Sequence, residues 1–274
     1  MVSQQSSAVD LNAIKARQQQ SWSTGDYSII GATLIVISEE LCEAVDLRAG
    51  QDVLDVATGS GNTAIAAARR FCQVTGIDYI PAQLEVGRKR AEVEHLPATF
   101  QEGDAENIPF ADASFDVVLS TLGVMFTPDQ EKAASELLRV CRSGGKIGLA
   151  NWTPDSFIGD VFRCIGKYIP PAPGLKSPAL WGTGERLREL FGEHTTSLQI
   201  TRRSFWFRYR SPAHWLEIFS AYYGPIFTAL QSLDADGRKG LSHDLISLLE
   251  KYNIATDGTL LVPGDYLEVV AIKR

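Results

Sequence analysis

A glycine-rich turn that follows an apolar strand is the part of this sequence most able to do chemistry. Residues 53–62 read VLDVATGSGN, so a strand runs directly into a turn and then into a helix. Gly59 and Gly61 carry no Cβ, which lets a ligand approach the backbone closely at the start of that helix. The segment also fits the dinucleotide-binding pattern, with Ala64 in third place. The turn therefore predicts a ligand that contains adenosine without deciding which one.

Two acidic residues at the ends of strands narrow the choice of ligand. Asp55 would repel a pyrophosphate, whereas it suits the cationic amino and sulfonium groups of S-adenosylmethionine. Asp78 ends the next strand, where its carboxylate can accept hydrogen bonds from both ribose hydroxyls. The alternative for Asp78 is a helix-capping role before Pro81. The charges favour the methyl donor, and a nicotinamide-dependent oxidoreductase stays as the alternative.

Several ordered motifs resemble those of one enzyme family. The most specific stretches are 54–62, 103–110, 114–118 and 139–145. On these motifs, the chain resembles a class I S-adenosylmethionine-dependent methyltransferase of the ubiquinone/menaquinone-methyltransferase-like type. The likeness covers about residues 20 to 155 well and the remainder loosely. Ala57 departs from the pattern, because the family usually has glycine there, although related quinone methyltransferases also have alanine.

The resemblance implies a role for each part of the donor site. Asp55 and the backbone at 57–59 would hold the methionine part of S-adenosylmethionine, and Asp78 would hold the ribose. Asp104 and Ala105 would meet the adenine, and Thr121 would face the donor near the sulfonium. The expected donor-binding residues are Tyr27, Asp55, Ala57, Thr58, Gly59, Gly61, Asn62, Asp78, Tyr79, Gln83, Asp104, Ala105, Glu106 and Thr121.

An N-terminal cover is expected over the donor. It corresponds to residues 22–37, in which Tyr27 would close over the donor carboxylate. The alternative is an ordinary amphipathic helix that shields the sheet. We expect a single methyltransferase domain over residues 1–274. It would comprise an N-terminal helical lid (1–45), a donor-binding core (46–151) and a C-terminal part (152–274) with helical insertions that form the acceptor pocket.

The elements around the turn predict an α/β fold. Short apolar runs alternate with helical patterns between residues 50 and 151, which is typical of a parallel sheet with helices on both faces. We expect a Rossmann-like doubly wound sheet of about seven strands, mostly parallel with an antiparallel edge strand. The predicted strands are 52–57, 74–78, 98–101, 115–121, 146–151, 200–209 and 266–273.

Helix signals support these boundaries. Pro81 is expected in the first turn of a helix. Residues 127–130 are interpreted as a capping box that opens a helix, which 143–145 would close. The stretch 212–252 is predicted to be helical, and the proline-rich stretch 169–178 is predicted to be a loop.

Composition limits the partners. The net charge of -7 and the pI of about 5.2 argue against nucleic acid, so a small-molecule acceptor is expected. Four widely spaced cysteines without a histidine cluster predict reduced thiols and no metal. The start of the chain lacks a basic segment followed by an apolar core, so we expect a cytoplasmic protein without membrane contact. The sequence leaves homodimerisation open.

The acceptor is less defined. An in-line displacement needs a base only if the oxygen, nitrogen or carbon nucleophile must lose a proton. Among the four histidines, His214, beside Trp215, is the candidate base, although a lone histidine usually has a structural explanation. All five tryptophans lie outside residues 50–151, which is compatible with core packing and with an aromatic acceptor. A non-catalytic S-adenosylmethionine-binding protein is a further alternative.

Overall fold

A seven-stranded mixed sheet forms the centre of the computed structural model, which describes residues 10–274. The strands are β1 (Asp52–Val56), β2 (Gln73–Asp78), β3 (Ala98–Glu102), β4 (Phe115–Thr121), β5 (Cys141–Trp152), β6 (Thr195–Tyr209) and β7 (Leu260–Lys273). Their order is β3-β2-β1-β4-β5-β7-β6, and β1 to β5 pair in parallel. β7 runs antiparallel to both β5 and β6. The predicted sheet is confirmed, and its antiparallel strand, β7, lies between β5 and the edge strand β6.

Burial on both faces explains why the first strands are continuous apolar runs. Val53 and Val117 pack with residues of the helices on one face, whereas Leu54 and Val118 belong to the core cluster of the other face. All four side chains are fully buried. A parallel sheet needs this double cover, because its crossover helices lie on its faces.

Eleven α-helices surround the sheet in the described part of the chain. They are α1 (Leu11–Trp22), α2 (Ser28–Gly31), α3 (Ile35–Ala44), α4 (Asn62–Ala68), α5 (Pro81–Val93), α6 (Gln130–Val140), α7 (Phe157–Tyr168), α8 (Gly184–Phe191), α9 (Pro212–Tyr222), α10 (Gly224–Ser232) and α11 (Ala235–Tyr252). Short 3₁₀ turns occupy Ala32–Leu34, Val124–Phe126, Pro178–Gly182 and Gly192–His194. None of these helices combines the length and the apolar composition that crossing a membrane requires. Residues 1–9 of the predicted lid lie outside the described residues.

Two predicted helix boundaries are wrong. The N-cap of α6 is Asp129, whose side chain accepts from the Lys132 amide, because the Thr127 hydroxyl instead donates to the Val124 carbonyl of the preceding turn. The helix ends at Val140, and residues 143–145 lie within β5. The predicted loop 169–178 is confirmed up to Ser177, where the turn at Pro178–Gly182 begins.

The C-terminal elements are longer and more broken than predicted. β6 and β7 pair from Thr195–Lys273 to Tyr209–Leu260, so β6 extends back through the mainly polar residues 195–199 and β7 through residues 260–265, which include Pro263 and Gly264. The expected helical stretch 212–252 divides into α9, α10 and α11. Extended backbone at Tyr223 separates α9 from α10, and extended backbone at Leu233 and Asp234 separates α10 from α11.

Candidate active site

A cavity lies at the carboxyl ends of β1, β2 and β4, where ligands bind in doubly wound sheets. Most of the predicted donor-site residues line it, and two of the predicted site residues, Gly61 and His214, do not. The lining residues that the sequence predicted are Tyr27, Asp55, Ala57, Thr58, Gly59, Asn62, Asp78, Tyr79, Gln83, Asp104, Ala105, Glu106 and Thr121. The fold therefore brings together residues that are up to 94 positions apart, from Tyr27 to Thr121.

The two glycines of the turn have different functions. Both have positive φ, 53° at Gly59 and 84° at Gly61. A Cβ built on Gly59 would meet no atom within 4 Å, so this glycine faces open space at the cavity. A Cβ on Gly61 would lie 2.7 Å from Cε1 of Phe100. Gly61 is therefore required for packing against β3, which explains why it does not line the cavity.

Ala57 adopts the conformation that explains the usual glycine at this position. Its φ is 54°, a left-handed value that costs a residue with a Cβ about 1 kcal/mol. Gly123 makes the space for the extra methyl group, since a Cβ on Gly123 would lie 2.7 Å from the Cβ of Ala57. The departure from the family pattern is thus accommodated locally.

Asp55 is a buried carboxylate at the base of the cavity, with a side chain only 1% exposed. The Thr58 hydroxyl and the Ala64 amide both donate to its Oδ2. Burial raises the pKa of this carboxyl to about 7, and the nearby charge of Asp78 acts in the same direction. A cationic ligand group would favour the ionised form of Asp55, because it offsets the cost of burial.

Asp78 fixes the turn while it faces the cavity. Its Oδ2 accepts from the Gly59 amide at 2.9 Å, and its Oδ1 accepts from the Ile80 amide at 2.9 Å. The capping role considered for Asp78 is therefore present. Each carboxylate oxygen has a second acceptor site, so both remain able to bind ligand hydroxyls. Burial raises the pKa of Asp78.

Helix α1 covers the opposite rim through Lys15, which the sequence analysis missed. The Lys15 ammonium lies 2.7 Å from Asp104 Oδ2 and also contacts Glu106. Burial alone would lower the pKa of Lys15, but the two carboxylates raise it. Glu106 also accepts from the Asp129 amide. One turn further along α1, Gln19 donates to the Tyr79 carbonyl at 2.7 Å, so α1 is tied to two segments of the cavity.

A chain of three hydroxyls connects the cover to the core of the cavity. The Thr63 oxygen lies 2.8 Å from that of Thr121 and 3.0 Å from that of Ser38 in α3. All three residues line the cavity. Thr121 therefore has a fixed rotamer at the end of β4.

Comparisons with known proteins agree with this geometry. The methyltransferase domain family matches residues 54–149. An uncharacterized protein of Mycobacterium tuberculosis is 34% identical over 266 residues, which are 95% of this chain and 96% of the relative. Demethylmenaquinone methyltransferase of Deinococcus radiodurans is 37% identical over 126 residues, 44% of this chain and 52% of that enzyme. The YcgJ protein of Bacillus subtilis has a similar fold, with a TM-score of 0.61, 21% identity and coverage of 86% of this chain and 98% of that chain.

The chain belongs to the class I S-adenosylmethionine-dependent methyltransferases. It is an enzyme of that class, and the predicted family and fold are confirmed.

The second end of the methyltransferase cavity is aromatic. Trp22 packs edge-on against Tyr27 and Phe126, with ring centroids 5.5 and 5.1 Å apart. These three residues line the cavity, and Tyr223 packs against Trp22 behind them at 5.5 Å. Trp22 is the one tryptophan in the cavity lining, whereas Trp181 and Trp215 are fully buried in the core. The packing interpretation therefore applies to those two tryptophans.

His214 lies at the start of α9, and the cavity lining does not include it. Its Nδ1 accepts from the Arg210 amide at 3.2 Å, and its ring lies 5.7 Å from that of Tyr209. Through these contacts His214 has a structural role, as a lone histidine usually does.

Two arginines of β6 form ion pairs away from the cavity. On β6, Arg202 pairs with Asp155 and Asp265, and Arg203 pairs with Glu268. The four cysteines are buried free thiols. Among residues 10–274, no group of three or more histidine, cysteine or acidic side chains is placed to hold a metal ion.

Proposed function

We propose that this methyltransferase transfers the methyl group of S-adenosylmethionine to a small, largely apolar aromatic molecule. The observation that supports this proposal is a single cavity with two chemically different ends. One end is the glycine turn with Asp55 and Asp78, and the other end is formed by Trp22 and Phe126. A polar, charged donor fits the first end, and a flat apolar acceptor fits the second.

The polar end fits the methyl donor group by group. Asp55 and the turn at 57–59 would hold the cationic methionine part, and Asp78 would accept from the ribose hydroxyls. The adenine would lie against Asp104 and Ala105. Tyr27 would close over the donor carboxylate.

The buried side chain of Gln83 supports this assignment. Its side chain is 7% exposed and lines the cavity, and its Oε1 has no hydrogen-bond partner among residues 10–274. Buried amide oxygens are nearly always paired, so a ligand is expected to supply the donor. An adenosine ligand, with its hydroxyls and exocyclic amine, has such groups.

The reaction needs positioning more than acid–base chemistry. S-adenosylmethionine supplies an activated methyl group, and the protein must hold the acceptor atom about 3–3.5 Å from it with water excluded. Thr121, fixed by Thr63, would orient the sulfonium end. Trp22 and Phe126 would hold the acceptor ring and keep the reaction dry. The proposal assigns no proton transfer to His214, because this residue is absent from the cavity lining.

Calorimetric titration of the purified protein with S-adenosylmethionine, S-adenosylhomocysteine and NADH tests the donor assignment. We expect the two adenosyl ligands to bind in the micromolar range and NADH not to bind. Gln83→Met should weaken S-adenosylhomocysteine binding about two- to tenfold through a lost hydrogen bond, without breaking any bond that Oε1 makes within the protein.

Gln101→Met is the matched control. Gln101 lies on β3, outside the cavity lining, so this variant should bind the adenosyl ligands like the wild type. Binding of NADH without the adenosyl ligands would contradict the donor assignment. Equal weakening in both variants would show that Gln83 does not contact the donor.

A further inference from the structure

Arg90 is a half-buried arginine of α5 whose guanidinium contacts the glycine turn. Its Nη1 donates to the Ser60 carbonyl at 2.7 Å and to Asn62 Oδ1 at 2.8 Å, and it lies 3.4 Å from the Ser60 hydroxyl oxygen. Ser60 and Asn62 both line the cavity, whereas Arg90 lies behind them. Any effect of Arg90 on a ligand therefore passes through these two residues or through its charge.

The charge of Arg90 has no nearby partner of opposite sign. No carboxylate among residues 10–274 lies within ion-pair distance of its guanidinium, and Glu94, four residues further along, pairs with Arg69 instead. Burial lowers the pKa of Arg90, an effect that Glu94 opposes and Arg69 reinforces. The guanidinium stays charged, because the ordinary pKa of arginine is far above neutral. A partly buried charge without a partner is costly, so an anionic ligand group in the cavity would offset part of this cost.

The cavity lining itself is acidic. It includes the carboxylates of Asp55, Asp78, Asp104 and Glu106, and within the described part of the chain Lys15 is its one cationic residue. The Lys15 ammonium already pairs with Asp104 and Glu106. A ligand carboxylate would therefore be repelled here unless another positive charge offset these acids. The methionine part of the donor carries such a carboxylate.

Ser60 and Asn62 meet the N-terminal cover at Gly31. A Cβ built on Gly31 would lie 3.5 Å from the Ser60 hydroxyl oxygen and 3.8 Å from both Asn62 Nδ2 and Cε1 of Tyr27. Asn62 Nδ2 donates to the Gly31 carbonyl at 2.8 Å. All four residues line the cavity. A hydroxyl, an amide and the ring that is expected to close over the donor carboxylate are thus gathered in one place.

The contacts of Arg90 leave two hydrogen-bond donors available in this place. Arg90 donates to Asn62 Oδ1, which fixes the amide so that Nδ2 faces Gly31 and keeps a second hydrogen. The Ser60 hydroxyl oxygen accepts in its contact with Arg90, so its proton also remains available. A carboxylate only accepts hydrogen bonds, so it matches these two donors and the positive charge behind them.

We propose that Arg90 is a positioning residue for the carboxylate of the methyl donor, and that it acts through Ser60 and Asn62 and through its positive charge. This inference rests on the proposed function, in which the donor is S-adenosylmethionine, and it adds how an acidic cavity accepts an anionic group. Arg90 would not contact the donor. It would hold the two residues that do, and it would offset the repulsion from the acids of the lining.

The test compares S-adenosylhomocysteine with decarboxylated S-adenosylhomocysteine, which is the same molecule with a hydrogen in place of the carboxylate. Calorimetric titration gives both dissociation constants for the wild type and for Arg90→Met. We expect the wild type to bind S-adenosylhomocysteine about tenfold more tightly than the decarboxylated analogue. Arg90→Met should reduce this ratio to about two or less, by weakening the binding of S-adenosylhomocysteine and not that of the analogue.

Arg88→Met is the matched control. It removes the same charge from α5, but Arg88 contacts Glu85 and the Phe100 carbonyl and lies outside the cavity lining. The ratio in this variant should therefore equal that of the wild type.

An unchanged ratio in Arg90→Met would contradict the proposal. Equal weakening of both ligands would also contradict it, because Arg90 would then only support the turn, and so would an equal loss of the ratio in Arg88→Met. A wild type that binds the decarboxylated analogue as tightly as S-adenosylhomocysteine would overturn the proposal without any variant. Failure of the wild type to bind either ligand would count against the proposed function itself, which separates the two conclusions.

Discussion

Asp55→Asn should stabilise the methyltransferase while it weakens binding of the methyl donor. Asparagine has nearly the same shape as aspartate, and its single carbonyl oxygen can still accept from the Thr58 hydroxyl and the Ala64 amide, which share one oxygen of Asp55. The substitution therefore removes the charge and retains the local hydrogen bonds. The fold is expected to persist.

The magnitude follows from the pKa of Asp55, which burial raises from 3.8 to about 7. Between these two values the folded protein holds a proton that the unfolded chain has lost, so the free energy of unfolding falls as the pH rises. Above pH 7 the loss is complete and amounts to about 4 kcal/mol. From pH 6 to pH 8 the wild type should lose about 1 kcal/mol through this group, and Asp55→Asn should not.

Donor binding should show the opposite dependence. A cationic donor is attracted to the ionised carboxylate, so the affinity of the wild type for S-adenosylmethionine should fall up to about tenfold per pH unit below pH 7. The affinity of Asp55→Asn should be lower at pH 8 and should change little with pH.

Urea unfolding and calorimetric titration at pH 6 and pH 8 measure both quantities for the two proteins. Asp104→Asn is a suitable control for the stability measurement, because this carboxylate also lines the cavity but is more exposed, with 38% of its side chain accessible. If Asp55→Asn were less stable than the wild type at pH 8, the inference of a buried, unfavourable charge would be wrong. If its donor affinity equalled that of the wild type, Asp55 would not contact the cationic part of the donor.

Three further substitutions test other contacts of the cavity. Gly61→Ala should lower the unfolding free energy by about 1–3 kcal/mol in a urea titration, because the new Cβ would lie 2.7 Å from Phe100. Gly59→Ala should mainly raise the Kd of the donor about tenfold, because its Cβ would fill space that the ligand occupies. The reversed pattern would contradict the roles assigned to the two glycines. Lys15→Met removes the ion pairs of α1 with Asp104 and Glu106. It should speed dissociation of S-adenosylhomocysteine about two- to fivefold in stopped-flow measurements. An unchanged dissociation rate would show that α1 does not retain the donor. Gly224→Ala places a Cβ 2.3 Å from the Ser21 carbonyl and should lower the unfolding free energy by about 2 kcal/mol. The same substitution at Gly166, which lies within α7 with open space around it, should instead raise the unfolding free energy by up to about 1 kcal/mol in the same assay.

The parts of the site that the sequence predicted lie within continuous segments. The strand, the turn and the first residues of the helix after it are neighbours along the chain, so their types directly indicate a ligand-binding turn. Asp55 and Asp78 could be placed at the cavity because both lie at the carboxyl end of a strand, and parallel strands end at the same edge of the sheet. The exception is Gly61, where a glycine required for packing and a glycine required for ligand approach have the same appearance in the sequence.

Other residues of the site have no local signal. Lys15 lies in a helix that carries no motif, although Lys15, Gln19 and Trp22 follow each other at helical spacing on one side of α1. Phe126 carries no signal in the sequence that separates it from an ordinary core aromatic, and His214 was chosen among the four histidines because it lies beside Trp215. Spacing along the chain could not decide which of these side chains reach the cavity.

The sequence by itself determined the enzyme class, the parallel core of the sheet and most residues that line the polar end of the cavity, because strand periodicity, turn geometry and the charge of strand-end carboxylates are properties of short segments. Only the tertiary structure decided the full length of β6 and β7, because each strand provides the hydrogen-bond partners of the other along residues without a clear strand pattern. It also decided the aromatic end of the cavity, where α1, α2, the turn at Val124–Phe126 and the residue Tyr223 between α9 and α10 meet. These elements are distant in the chain, and they come together because each buries its apolar face against the others.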